Sequence, residues 1–471
     1  MKTEKLNRDI FFNRLRKQEF ANLDKSGEVY LDYTAANIYP QSLIERHWRF
    51  LQNNIYGNPH SNNTASQLSE KKISEARKRV LDFFNATDYH CIFTANASSA
   101  LHIVGECYPF SSESHFLLTA DNHNSVNGIR EYCRSKGGDY CYSPINYGDL
   151  SINDAALNKN LQSYPDKKNK LFAYPAQSNA SGVQHSLEWV KKAQQQGWDV
   201  LLDAAAFVPT SKLNLSEVCP EFVSLSFYKM FGYPTGVGCL LLKKSVFNKL
   251  KKPWFAGGTV ALSSTNYSAH FLKPDHEKFE NGTVNYLDIP AITDGLNFIT
   301  AAGIDNINSR IKDLSFLLLT NLQKLQHDNG LSLIKLYGPA HTQNRGGTFL
   351  FNFFDNCRQP FPLQYIEQLA NENKIALRTG CFCNPGIDEL NNCISAEELE
   401  KYFTTRAYGD YDDMIHFMGK MRGAVRISIG LATTTIDIAK FLRFAKTLLN
   451  TSVTENKESI LAADAAALQL G

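Results

Sequence analysis

The sequence predicts an α/β protein, with a large domain on a mostly parallel sheet and a smaller C-terminal α/β domain. Short apolar runs alternate with longer helical patterns from about Tyr30 to Leu242, the order that builds a parallel sheet covered by helices. Charged or small residues stand at the ends of those runs, where open α/β sheets hold ligands. A chain of 471 residues also exceeds what one simple core accommodates.

Met1–Phe20 mixes charges around Ile10, Phe11, Phe12 and Leu15, which predicts a short docking helix and no secretory leader. Strands are expected at His90–Thr94, His115–Ala120, Lys170–Tyr174, Asp199–Asp203, Phe222–Phe227 and Gly238–Leu242, and helices at Gln67–Phe84, Ser98–Cys107, Val126–Lys136 and Ser186–Gln196. Lys251–Asp288, rich in Gly, Asn and Ser, is expected to wrap around the active site. Helices resume near Ile292, followed by Gly347–Phe354, Pro362–Asn373, Ile375–Arg378, Ala424–Ile429 and Asp437–Asn450. The expected division is an N-terminal segment (1–29) packed on the core, a large domain (30–290), a small domain (291–450) and a tail (451–471), read as a loose helix or disordered.

Hydrophobic residues make up 43% and charged residues 20%, with a net charge of +2. That balance points to no nucleic-acid or membrane-surface partner, and no apolar run approaches the ~18 residues of a membrane span. The ten cysteines form no disulfide-like ladder. Cys91, Cys107 and Cys239 sit in apolar segments as small hydrophobes, and unpaired thiols fit a reducing cytoplasm.

Lys229 follows the apolar run Phe222–Phe227 and precedes the glycine-rich turn Gly232–Gly238. An amine there can form a Schiff base with a carbonyl cofactor if its surroundings lower its pKa. Asp203 ends the run before it, and a buried carboxylate needs a cationic partner. A pyridinium nitrogen supplies one, and an arginine or lysine of the protein is the alternative. A Schiff-base lysine with an aspartate for the ring nitrogen is the pattern of pyridoxal 5'-phosphate (PLP) enzymes.

Ala97 and Ser98 open a helix where an anion can dock, although Ser98 as a plain N-cap explains the local sequence equally well. His123 on the same rim either stacks on a cofactor ring and moves protons or is a hydrogen-bonded loop residue. Asn179 is a donor to a ring hydroxyl or part of a turn. In Arg378-Thr-Gly-Cys381-Phe-Cys383-Asn-Pro-Gly386 a thiol lies on a Gly/Pro-flanked loop near an arginine, surroundings that lower a thiol pKa. Zinc is the weak competitor, since Cys381-x-Cys383 and Cys393 have no histidine pair nearby. Arg426, inside the strand-like run Gly423–Gly430, binds a carboxylate of the protein or of a substrate.

Tyr30-Leu-Asp-Tyr-Thr-Ala-Ala36, Gly57-Asn-Pro-His60-Ser61, Asn122-His-Asn-Ser125, the Lys229 segment, Arg378–Cys383 and Gly423–Arg426 occur in order over roughly residues 25–450. Together they resemble the class V aminotransferase superfamily, cysteine desulfurase type, most like the desulfurase domain of molybdenum-cofactor sulfurases. The resemblance implies a type I PLP-dependent transferase fold, PLP as cofactor and L-cysteine as substrate. It implies Lys229 as the Schiff-base lysine, Asp203 as the pyridinium partner, His123 stacked on the ring and Asn179 near its 3-hydroxyl. Ala97, Ser98, Ser226 and Tyr228 would line the phosphate site, with Thr283 contributed by the neighbouring subunit of a homodimer. Arg426, Arg378 and His60 would lie at the substrate, and Cys383 would carry the persulfide for a sulfur acceptor, with Cys381 as a second thiol. The chain departs from many desulfurases at Ala206 (often glutamine) and Tyr228 (often histidine). It departs from the molybdenum-cofactor group at Ile387 and Asp388, where a further cysteine is common. That group also commonly has a C-terminal domain for the molybdenum cofactor, which this chain is expected to lack. A PLP lyase, epimerase or transaminase that does not use Cys383, and a non-catalytic sulfur-carrier scaffold, are the alternatives.

Overall fold

The computed structural model describes residues 2–453, so nearly all of the expected tail, residues 454–471, lies outside the described residues. The strands in chain order are β1 (Val29–Tyr30), β2 (Tyr89–Thr94), β3 (Ser114–Thr119), β4 (Asp139–Ser143), β5 (Asn169–Pro175), β6 (Asp199–Asp203), β7 (Phe222–Ser226) and β8 (Gly238–Lys243), followed by β9 (Val260–Ser263), β10 (His270–Leu272), β11 (Ile334–Tyr337), β12 (Thr348–Phe353), β13 (Ile375–Ala376), β14 (Arg378–Gly380) and β15 (Ala424–Ser428).

Seven of them form one sheet in the order β2-β8-β7-β6-β5-β3-β4. Only β8 runs against its neighbours. Its reversal pairs Gly238 with both Thr94 and Ser226, the last residues of β2 and β7. The two strand ends and the turn before Gly238 therefore meet on one rim. Side chains alternate between two buried layers, as a strand period of two requires: Leu117, Phe172 and Val223 face one core, while Phe116, Leu171 and Phe222 face the other. Burial on both faces explains why these strands read as continuous apolar runs.

The second sheet is antiparallel, in the order β11-β12-β15-β14. Close beside it, β1 pairs in parallel with β13, and Asp32 bridges to Ser428. The first strand of the chain thus lies against elements formed more than 340 residues later, a separation of 346 between Asp32 and Arg378.

Several elements differ from expectation. The run Phe222–Phe227 stops at Ser226, and a short helix, Phe227–Phe231, carries Lys229. Gly232 ends it with φ +80°, against Tyr39, whose backbone nitrogen a Cβ would approach to 2.3 Å, so only glycine fits. The helix expected over Val126–Lys136 is two pieces, Asn124–Asn127 and Ile129–Ser135, divided at Gly128. The N-terminal helix forms over Lys2–Glu19 and docks through Phe11, Phe12, Leu15 and Arg16, but Ile10 is exposed. Arg16 donates to the Ala432 carbonyl at 2.7 Å and meets Asp437.

Candidate active site

A cavity of about 310 Å³ opens on the rim where β2, β5, β6 and β7 end. Ala97, Ser98, His123, Asn179, Asp203, Ser226, Tyr228 and Lys229, eight of the residues singled out in the sequence, all line it. Lys229 projects from its short helix, and Nζ makes no hydrogen bond or ion pair among the described residues. Burial pushes its pKa down, the Asp203 carboxylate opposes that, Arg426 pushes it further down and Cys383 pulls it up. Asp203 accepts the Ala205 N–H at 3.0 Å and the Ser224 hydroxyl at 3.1 Å, both on Oδ1. Its Oδ2 takes no hydrogen bond among the described residues. Burial also lowers the pKa of His123, with Asp203 opposing and Lys229 and Arg426 assisting. Its Nδ1 accepts the Ser125 N–H at 3.1 Å, which leaves the proton of the neutral ring on Nε2.

At the other end of the cavity the helix Ala97–Cys107 begins. Its cap is Asn96, whose side chain accepts the Ser99 N–H, so Ser98 is not the N-cap and its hydroxyl is free to pair with Ser125 at 2.6 Å. The Ala97 N–H donates to Ser226 Oγ at 2.8 Å. These groups line the N-terminus of an 11-residue helix, a ready site for an anion.

Arg426 and Arg378 face each other across β15 and β14 and share one carboxylate. Asp32 Oδ1 accepts from Arg426 at 3.0 Å, and Oδ2 accepts from Arg378 at 2.8 and 3.0 Å. Two guanidinium groups on one carboxylate leave one positive charge unbalanced, and Nε of the buried Arg426 has no partner among the described residues. Burial lowers the pKa of Arg426, whereas the Asp32 hydrogen bond raises that of Arg378. The Arg426 carbon Cζ also lies 4.6 Å from the centre of the Phe382 ring.

Cys383 is exposed on a loop where Phe382 and Cys383 have φ of +58° and +52°. Cys381 is buried, and burial, then the charge of Asp388, push its thiol well above the ordinary range. The pair thus offers one accessible thiol, not two. Asn179, expected to donate to a ring hydroxyl, donates to the Phe382 carbonyl at 2.7 Å and accepts from Asn384 at 3.0 Å.

Five expected residues do not line the cavity: Cys383, Arg378, Arg426, His60 and Thr283. Arg426 reaches its edge, donating to the Asn179 carbonyl at 3.0 Å. His60 stands outside the cavity, with Nδ1 3.4 Å from Glu277. Thr283 lines a neighbouring hollow of about 390 Å³ with Phe93, His102 and Gly236. No residue of Lys251–Asp288 lines the central cavity. That segment instead flanks it, pinned by Glu280, which accepts from Arg77 at 2.7 and 3.1 Å and from the Phe93 N–H at 2.7 Å. Sequence reasoning missed Asp32, Asn384 and Ser125. Asp32 lay within a quoted motif, and its signal was a buried-looking acid between Leu31 and Tyr33; Asn384 and Ser125 gave none beyond their neighbours.

The class V aminotransferase family model matches residues 29–441. The chain is 36% identical to molybdenum cofactor sulfurase of Arabidopsis thaliana over 91% of its length, and 35% identical to that of Homo sapiens, also over 91%. It spans only 57% and 50% of those two proteins. Among solved structures, a cysteine desulfurase from Thermococcus onnurineus NA1 superposes with a TM-score of 0.76 at 22% identity, over 93% of this chain and 98% of that one. The cysteine desulfurase CsdA of Escherichia coli superposes with a TM-score of 0.72 at 19% identity, over 93% and 99%. The fold is that of the type I PLP-dependent enzymes. The residues present fit PLP: an unpaired amine for its carbonyl, the uncommitted Oδ2 of Asp203 for a ring N–H, and a helix N-terminus with two serine hydroxyls for its phosphate. By its match over most of its length, the chain belongs to the class V aminotransferase family.

Proposed function

We propose that the protein is a PLP-dependent cysteine desulfurase that takes sulfur from L-cysteine, releases alanine and holds the sulfur as a persulfide on Cys383. The observation that carries this reading is the cavity that gathers Lys229, Asp203 and His123, with the loop of the exposed Cys383 fastened to its edge through Asn179 and Asn124 and the Arg426 and Arg378 guanidinium groups sharing Asp32 beside it.

When bound, PLP supplies a carbonyl that condenses with amines and a protonated ring that draws electrons from the substrate Cα. Asp203 Oδ2 would hold a proton on the ring nitrogen, and His123 would lie against the ring. Burial lowers the pKa of Lys229 Nζ, which suits it to take the proton from Cα and return one as alanine forms. Arg426 and Arg378 bind the substrate carboxylate and aim its side chain at the loop. Cys383 Sγ bonds to the substrate sulfur as the C–S bond breaks, so that cysteine and one enzyme thiol become alanine and one enzyme persulfide.

The proposal assigns PLP binding to residues 30–290 and the cysteine loop to 291–450. It makes the protein a homodimer in which Thr283 of the partner subunit reaches the phosphate. It places the protein in the cytoplasm, where ten free cysteines remain reduced. The acceptor is assigned to molybdenum-cofactor chemistry, on the names of the relatives alone. No helix among the described residues is long and apolar enough to cross a membrane.

The test is an absorbance spectrum of the purified protein before and after L-cysteine, with alanine and sulfide assayed. A visible band that changes, with alanine formed and persulfide lost in Cys383→Ser, is expected. A band with no alanine formed would move the reading to a lyase or transaminase, and no band after PLP is supplied would overturn it.

A further inference from the structure

The loop that carries Cys383 is fastened to the rim of the seven-stranded sheet more firmly than a cysteine donor alone would need. Asn384 is fully buried. Its Nδ2 donates to the Asp121 carbonyl at 2.7 Å and to Asn179 Oδ1 at 3.0 Å. Asn179 answers by donating to the Phe382 carbonyl at 2.7 Å, and the Asn124 N–H donates to the Cys383 carbonyl at 2.7 Å. The loop lies so close to the rim that a Cβ on Gly386 would meet the Ala120 carbonyl oxygen at 2.0 Å. Two successive non-glycine residues in the left-handed region persist only where surrounding contacts hold them, and these bonds are the holding contacts.

Asn179 works in both directions. Asn179 lines the cavity while its amide oxygen and nitrogen both bind the loop. A primary amide is planar, so whatever fixes its orientation from the cavity also fixes both loop bonds. Asn179 Nδ2 has a second N–H to give, and a ligand oxygen in the cavity is a suitable acceptor.

We propose, on the desulfurase reading above, that Asn384 is a positioning residue and that the Asn179–Asn384 amide pair couples occupancy of the cavity to the placement of Cys383. A ligand oxygen that takes the second Asn179 N–H adds to the bonds that hold the loop against the rim. The loop that carries the Cys383 thiol is therefore held more tightly when the cofactor is in place.

The test compares wild-type apoprotein with PLP-loaded protein by two readouts. One is the rate of iodoacetamide alkylation at Cys383, followed by peptide mass spectrometry. The other is hydrogen exchange at the Asn124 amide, whose acceptor is the Cys383 carbonyl. Loading is expected to slow both by roughly tenfold, the worth of one or two buried hydrogen bonds. Asn384→Ser keeps an oxygen able to cap the helix Pro385–Asn391 but loses both N–H donors. In that variant the loaded and apo rates should coincide, with the visible PLP band and the L-cysteine titration midpoint retained and kcat reduced. Equal rates for apo and loaded wild type, with the band present, would overturn the coupling. So would coupling that survives in Asn384→Ser. Failure to form the band at all would instead sink the cofactor reading, and the coupling with it. The wild-type comparison stands even if the variant does not fold.

Discussion

Burial strips water from the Lys229 ammonium while Arg426 repels it, and only Asp203 and Cys383 act the other way. The amine is thus ready as a base below the ordinary lysine range of ~10.4. Lys229→Ala should lower alanine formation by at least ~10²–10⁴-fold, the usual worth of general acid–base help. In the wild type, the alkaline rise in alanine formation should fall below the pH of a free lysine. The two thiols separate by the same physics. Burial and Asp388 hold Cys381 protonated, whereas Cys383 is exposed. Iodoacetamide should label the exposed Cys383 and spare the buried Cys381. Cys381→Ala should retain persulfide formation, read by mass spectrometry, while Cys383→Ser loses it.

At the scale of elements, His115 of β3 and Cys141 of β4 meet at 3.3 Å, with Tyr164 stacked on the imidazole at 3.5 Å. Burial pushes the His115 pKa down to about 4. Between that value and the unfolded ~6.5 the unfolded chain binds more protons, so stability falls as pH drops through the window. His115→Gln should flatten that acid slope in denaturant titrations at pH 4–6.5. The segment Lys251–Asp288 depends on the buried Arg77–Glu280 pair. Glu280→Ala strands a guanidinium and should cost ~3–5 kcal/mol, seen as a lower denaturation midpoint and faster proteolysis within the segment. The strands that carry Asp203 and Ser226 were legible because both faces are buried and a polar residue closes each run. Strand β4 was not, because Asp139 and Tyr140 are exposed on a sheet edge and lack any apolar period. The clamp of the cysteine loop was equally hidden. Asn179 and Asn384 are 205 residues apart, and an amide pair leaves no periodic trace. His60 and Thr283 were named from resemblance alone, and neither lines the cavity of its own chain.

For the whole molecule, the proposed pairing of subunits has a physical signature. Leu262, Tyr267 and Phe271 of the segment beside the cavity are 64%, 75% and 67% exposed, an unusual apolar surface for a lone chain. Sedimentation velocity should give a species of twice the chain mass. Phe271→Lys should shift it toward a monomer and, by removing the partner subunit's Thr283, weaken PLP retention during dialysis. A sediment at the chain mass with PLP fully held would remove the partner from the site. The shared carboxylate of Asp32 has a consequence in time. A chain leaving the ribosome at ~5–20 residues per second makes Asp32 on the order of 20–70 s before Arg378, 346 residues away. Arg426 follows later still, 394 residues after Asp32. The sheet that holds Lys229 can assemble once β8 has been synthesised, but the corner built on Asp32, Arg378 and Arg426 cannot. On the proposed function, a nascent chain arrested between β8 and Arg378 should accept PLP while ignoring L-cysteine.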